Sequence, residues 1–130
     1  MSGPTDDRAV VSPRAPRPVG PYPHARRFGN LLFVSGIGPR DRATDAVPAG
    51  IEAQTRSAIE NVRVILEDAG SSLEKVIDVT VFLTDIAGDF AAFNRVYGEY
   101  FGRVLPTRTT VGVVALPTPI SVELKVIAEG

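Results

Sequence analysis

Between Ile51 and Ala128 the apolar residues change their spacing three times, and this alternation restricts the fold more than any other feature of the chain. Ile51, Ala58, Ile59, Val62, Ile65, Leu66 and Ala69 fall at helical intervals and form one stripe. Gly70 suits the left-handed residue that follows a helix end. Val76–Leu83 then turns to a period of two, with Ile77, Val79, Val81 and Leu83 on one face and Asp78, Thr80 and Phe82 on the other, as in a central strand. Asp89 is placed to cap a second helix, in which Phe90, Phe93, Tyr97, Tyr100 and Phe101 return to three- and four-residue steps. Thr109–Val114 and Ser121–Ala128 are β-type again, separated by Leu116-Pro117-Thr118-Pro119, whose prolines force a loop.

Upstream, Arg26–Phe28 and Leu31–Ser35 flank Gly29-Asn30, a hairpin signal. The predicted order is ββαβαββ. It describes an α+β fold with hairpins at both ends, a mostly antiparallel sheet and two helices on one face. Phe33, Thr80, Phe82, Val111 and Val113 then line the other face. An apolar second face calls for cover by another subunit.

A chain of 130 residues supports one core rather than two, and the expected domain runs over residues 19–130. Residues 1–18, with prolines at 4, 13, 16 and 18, read as an extended, flexible arm. Fourteen basic against fifteen acidic residues give a net charge of −1, which offers no general attraction to nucleic acid or anionic membranes. Cysteine is absent and histidine occurs once, so disulfides and thiolate chemistry are excluded and no metal or other cofactor is expected. No run is long enough to span a bilayer, and Met1–Ser12 lacks a secretory core; cytoplasmic residence is the expectation.

Four positions attract attention as chemistry. Arg108 stands at a strand entrance after Pro106, and its planar donor fork matches a carboxylate at two points; from spacing alone, an exposed, solvated arginine is the ordinary alternative. Glu123 lies opposite the apolar face of Val122, Leu124, Val126 and Ala128. It reads either as a weak surface partner of Lys125 or as a carboxylate that positions a water. His24 is the one group that ordinarily titrates near neutrality, though a lone histidine is more often structural. Ser35 precedes Gly36 without the Gly-x-Ser-x-Gly elbow of a serine hydrolase.

Taken in order, Gly20-Pro21-Tyr22, Phe33-Val34-Ser35-Gly36, Gln54 with Asn61-Val62, Asp78–Leu83, Asp89-Phe90 with Asn94 and Tyr97, Pro106–Val111, Leu116-Pro117 and Val122-Glu123-Leu124 resemble the Rid/YjgF family of enamine/imine deaminases. The resemblance spans about Gly20 to Ala128. It implies a chorismate-mutase-like subunit, a homotrimer with sites between subunits, and a small carboxylate substrate. By the same resemblance Arg108 binds the substrate carboxylate and Glu123 holds the attacking water, while Tyr22, Ser35, Asn94 and the backbone around Thr110 line the cleft. Ile37, Thr110 and Lys125 depart from the residues common in the family.

Pro23-His24-Ala25-Arg26 and Glu123-Leu124-Lys125 are similar to the 2-aminomuconate deaminase subgroup, which implies a dicarboxylic enamine. His24, Arg26 and Arg27 are the cations expected to offer a second carboxylate contact, with strand alternation preventing Arg26 and Arg27 from both facing the cleft. Two other functions stay open: a non-catalytic trimer that binds carboxylate metabolites through Arg108, and an endoribonuclease or translation inhibitor. The acidic balance and lone histidine weigh against the latter.

Overall fold

A computed structural model describes residues 8–130. The elements are β1 (Ala9–Val10), β2 (Ala25–Phe28), β3 (Leu31–Val34), α1 (Ile51–Asp68), β4 (Val76–Leu83), α2 (Ile86–Phe101), β5 (Thr107–Gly112) and β6 (Val122–Glu129). They form one six-stranded sheet in the order β1-β2-β3-β6-β4-β5, antiparallel except where β4 meets β5. Both helices cover one face. Val79, Val81 and Leu83 of β4 and Leu124 and Val126 of β6 are buried there with Ile59, Val62 and Leu66 of α1 and Phe93 and Phe101 of α2. Removing such apolar surface from water is the main favourable term, at about 1.5–3 kcal/mol for each large side chain.

The expected α+β architecture is present, with four local differences. The C-terminal strands do not form a hairpin: β6 is inserted between β3 and β4, and β5 joins the far side of β4 in parallel. A parallel neighbour needs a crossover rather than a tight turn, and α2 is that crossover. Ile77 does not share the face of Val79, because a bulge shifts the β4–β6 register between Val76 and Asp78 and leaves Ile77 41% exposed. α2 begins at Ile86, capped by Asp85, whose Oδ1 accepts from the Gly88 N–H at 3.1 Å; Asp89 lies inside the first turn. Gly70, at φ 85°, does end α1, and the Ser71 N–H returns to the Leu66 carbonyl at 2.7 Å.

The fourth difference concerns the arm. Residues 1–7 lie outside the described residues, but from Arg8 onward the chain is extended and docked. β1 pairs with β2, and Ser12 and Ala15 are fully buried. The Ser12 hydroxyl donates to Asp68 at 2.6 Å and Arg14 reaches the same carboxylate at 2.7 Å. Those two partners hold the Asp68 carboxyl below the usual carboxylate range. Arg42 donates to the carbonyls of Ser12 and Ala15.

His24 is the pin of this arrangement. It is 1% exposed; its Nδ1 accepts from the Ser12 N–H at 2.9 Å and its Nε2 lies 2.7 Å from the Pro16 carbonyl. A backbone N–H can only donate and a carbonyl only accept, so the ring is the Nε2–H tautomer. The expected cleft role of His24 is therefore corrected: its ring is buried and bonded on both sides. His24→Ala strands a buried donor and acceptor and should cost about 2–4 kcal/mol. Chemical denaturation measures this loss, and hydrogen exchange should rise at Ser12 before the sheet opens.

Candidate functional site

Register divides the proposed site residues between two faces of the sheet. Arg108 is level with Val79 and Thr110 with Val81, so both belong to the helix-covered side. Glu123 is level with Phe82, on the opposite side. β4 stands between them. Within one chain, Arg108 and Glu123 are not brought together.

On the helix side, the Arg108 Nη2 donates to Asn94 Oδ1 at 2.7 Å. Its guanidinium carbon lies 4.7 Å from the Tyr97 ring centroid, 5.5 Å from Phe93 and 5.8 Å from Phe90. Three rings at these distances stabilise a cation and fix the plane of its fork. Arg108 is the second residue of β5, not a residue ahead of the strand. Two buried hydroxyls on this side, Tyr97 Oη and Thr110 Oγ1, have no hydrogen-bond partner among the described residues. Burial pushes the Tyr97 phenol up to about 12, so it stays a neutral hydroxyl at physiological pH. An unpartnered buried hydroxyl costs free energy until a ligand or a neighbouring surface satisfies it.

On the open side, Glu123 borders a pocket of about 40 Å³ that is also lined by Tyr22, Gly36, Gly38, Arg40, Thr118 and Ile120, with Val19 and Pro117. Gly36 leaves room for this carboxylate: a Cβ built there would sit 2.6 Å from Glu123 Oε1, and the Glu123 side chain would have to shift. Burial pushes the Glu123 carboxyl above its usual range. Ser35, next to Gly36, donates its hydroxyl to the Pro23 carbonyl at 2.7 Å, fixing the segment that carries Tyr22. The Tyr22 hydroxyl in turn accepts from the Val19 N–H at 3.3 Å.

The remaining cations flagged in the sequence serve elsewhere. Arg27 donates to the Ala69 carbonyl at the end of α1, where a cation suits the helix dipole. Arg26 lies level with Phe33 on the open face. Ile37 points into the core and pairs with Leu124, and Lys125 donates to the Val34 carbonyl at 2.9 Å. Sequence reasoning missed Gly38, Arg40 and Thr118 as pocket residues; they sit in loops, where no periodicity marks a direction. Among the described residues no group of histidine, aspartate and glutamate is arranged to hold a metal ion, and no helix is long and apolar enough to cross a membrane.

Residues 12–130 match the Endoribonuclease L-PSP family. A RutC family protein of Pyrococcus abyssi is 45% identical over 120 residues, covering 92% of this chain and 94% of that one. The putative reactive intermediate deaminase TdcF of Escherichia coli K12 is 37% identical over 124 residues, covering 93% and 95%. Among solved structures, a putative endoribonuclease of Thermotoga maritima superposes with TM-score 0.90 at 40% identity, covering 96% of this chain and 98% of that chain. E. coli TdcF with bound serine gives 0.89 at 36%, covering 95% and 99%.

The sheet thus carries an aromatic-caged arginine on its helix-covered side and a half-buried carboxylate on its open side. This chain belongs to the Endoribonuclease L-PSP family, the Rid/YjgF proteins, among which TdcF is named a putative reactive intermediate deaminase.

Proposed function

We propose that the chain is a hydrolytic deaminase that converts an enamine or imine carboxylate to the keto acid with release of ammonia. The observation that carries this reading is the division of Arg108 and Glu123 between opposite faces. Each sits beside uncovered surface and lacks the complementary half of a site. Arg108 holds the substrate carboxylate in its fork, and Glu123 accepts a proton from water as the oxygen adds to the imine carbon. That proton passes to nitrogen to give the carbinolamine; its hydroxyl proton is then transferred to the same nitrogen as the carbonyl forms, the C–N bond breaks and ammonia leaves. An imine conjugate to a carboxylate is already electrophilic, so orientation and a directed base are sufficient without metal or cofactor.

The same division supports an assembly of subunits. The open face presents Phe28, 77% exposed, and Phe33 with Val111, more apolar surface than a lone subunit keeps wet. When one surface meets a different surface of the next copy, the contacts are heterologous, and they close into a ring when the rotation between neighbours divides a full turn. The reading is a homotrimer, with Arg108, Asn94 and Thr110 of one subunit facing Glu123, Tyr22 and Ser35 of its neighbour.

The experiment follows from that geometry. Ammonia release is measured from a panel of imines generated in situ, using wild type, Arg108→Ala, Glu123→Ala, and the two variants unfolded and refolded together. Each variant alone should be inactive. In the mixture one interface in about four pairs an intact Arg108 with an intact Glu123, so about a quarter of wild-type activity returns. Recovery of none, with mixed trimers present by mass, would falsify the shared site.

TdcF's bound serine, an amino acid with one carboxylate, supports a substrate of that general size. The endoribonuclease reading fits the chain less well. Its one imidazole is buried and bonded on both nitrogens, and the net charge of −1 supplies no steering field for RNA. A 2-aminomuconate-type diacid remains part of the proposal, but it draws no support from His24 or Arg27.

A further inference from the structure

Polar side chains of α1 carry hydrogen bonds that the roles above do not use. Gln54, Ser57 and Asn61 stand three and four residues apart, which places them on one side of the helix. The Asn61 amide nitrogen donates to the Gly38 carbonyl at 2.8 Å and to the Arg40 carbonyl at 3.0 Å, and the Ser57 hydroxyl donates to the Pro39 carbonyl between them at 2.9 Å. Gln54, 7% exposed, accepts the Ser121 N–H on its Oε1 at 2.7 Å. Carbonyls only accept and a backbone N–H only donates, so these partners fix the orientation of both amides.

The segments held in this way enclose Glu123. Gly38 and Arg40 line its pocket from the segment after β3, and Pro117, Thr118 and Ile120 line it from the segment before β6. The two segments are in close contact, for a Cβ built at Gly38 would lie 2.6 Å from Ile120 Cδ1. Ile37 and Leu124 exchange backbone hydrogen bonds at 2.8 and 2.9 Å, which ties the first segment to the residue after Glu123. A displacement at Gly38 is thereby passed to the strand end that carries the carboxylate.

We propose that Gln54, Ser57 and Asn61 are positioning residues for Glu123: acting from the helix on the other face of the sheet, they fix the two segments that enclose its carboxylate and so set how far water reaches it. The inference rests on the deaminase reading for what Glu123 does there. Solvent would satisfy the same backbone groups without holding them in one place. A helix packed into the core does hold them, and a general base needs that fixity, since a misplacement of about 1 Å costs about a hundredfold in rate.

The test follows the Glu123 carboxyl by carbon-detected NMR titration in wild type, Asn61→Ala, Gln54→Met, Ser57→Ala and Thr55→Ala, with thermal melts and ammonia release in parallel. Gln54→Met keeps the length of the side chain and removes its acceptor. Thr55 is the control: it is buried in the same helix and its hydroxyl donates to the Ile51 carbonyl at 2.7 Å, so truncating it weakens α1 while leaving the bonds to both segments in place. In wild type the carboxyl should titrate above the usual glutamate range, because burial raises it. In Asn61→Ala and Gln54→Met it should move back toward that range as water enters. Their kcat should fall about ten- to a hundredfold with KM little changed, the substrate carboxylate being held at Arg108. Ser57→Ala should show a smaller shift in the same direction, and Thr55→Ala should melt lower yet titrate as wild type. A titration unchanged in both Asn61→Ala and Gln54→Met, or moved as far by Thr55→Ala, overturns the proposal, since a merely structural role lowers the melt and leaves Glu123 alone. If those two variants do not fold, an unchanged titration in Ser57→Ala overturns it. Wild type without ammonia release sinks the deaminase reading and leaves the titration to decide the positioning role; release with no change in titration sinks the positioning role alone.

Discussion

Arg108→Lys should reduce kcat/KM for imine hydrolysis by about a hundredfold while leaving the fold intact. The substitution keeps the charge, so a site that needed only a positive potential would tolerate it. What changes is geometry. The guanidinium is held by Asn94 on one nitrogen and by the faces of Phe90, Phe93 and Tyr97 around its plane, which leaves the rest of the fork directed by packing rather than by solvent. An ammonium on a flexible stem occupies that cage as a point charge and makes one bond where the fork makes two. Loss of one charge-assisted hydrogen bond corresponds to about 1.5–3 kcal/mol, or roughly ten- to a hundredfold, and misorientation of the reacting carbon adds to it. Steady-state kinetics with a thermal melt at fixed protein concentration checks this. Near-normal turnover in a stable Arg108→Lys protein would assign the arginine to packing alone.

What was legible in the sequence follows from the range of the interaction that decides each feature. Helix α1, its stop at Gly70 and the inward face of β6 depend on neighbours within a few residues, and periodicity captured them. The insertion of β6 between β3 and β4 depends on pairing across about forty residues or more, for which local pattern has no term. The Val76–Asp78 bulge is similar: Ile77 continues the alternation in sequence, but the partner strand breaks it. His24 was misread as a cleft cation because its ionisable character is visible in sequence, whereas its burial depends on an arm that composition marks as free. Ser12 and Pro16 lie eight to twelve residues upstream and become its partners only when β1 docks.

The site shows the same limit. Arg108 and Glu123 were both singled out, yet their separation by β4 follows from the parallel β4–β5 register and the antiparallel β4–β6 register together. Only that pair of registers places the two candidate residues on opposite faces of the sheet, as the proposed shared site requires. In that proposal the exposed aromatic face and the separation of the two residues have a common cause, since the contact that would cover Phe28 and Phe33 is of the kind that would join Arg108 to Glu123.

Glu123→Gln should lower kcat by about a hundred- to ten-thousandfold with KM little changed, the range expected for removal of a general base. The amide is nearly isosteric and still fits against Gly36, so the pocket keeps its shape. Two further readouts separate catalysis from structure. Burial raises the carboxyl of Glu123 in the folded protein; the native state therefore disfavours the charged form, a penalty fully present above the raised value and absent below the ordinary glutamate range near 4. The glutamine variant escapes that penalty. It should melt above wild type at neutral pH, with the difference closing as pH falls toward the ordinary glutamate range. In the opposite direction, wild-type kcat/KM should rise with pH as Glu123 loses its proton and becomes competent as a base, and that limb should vanish in the variant. A residue with only a structural role predicts a melting change without loss of the limb. An unchanged pH profile in Glu123→Gln would therefore remove Glu123 from the chemistry even if turnover were low.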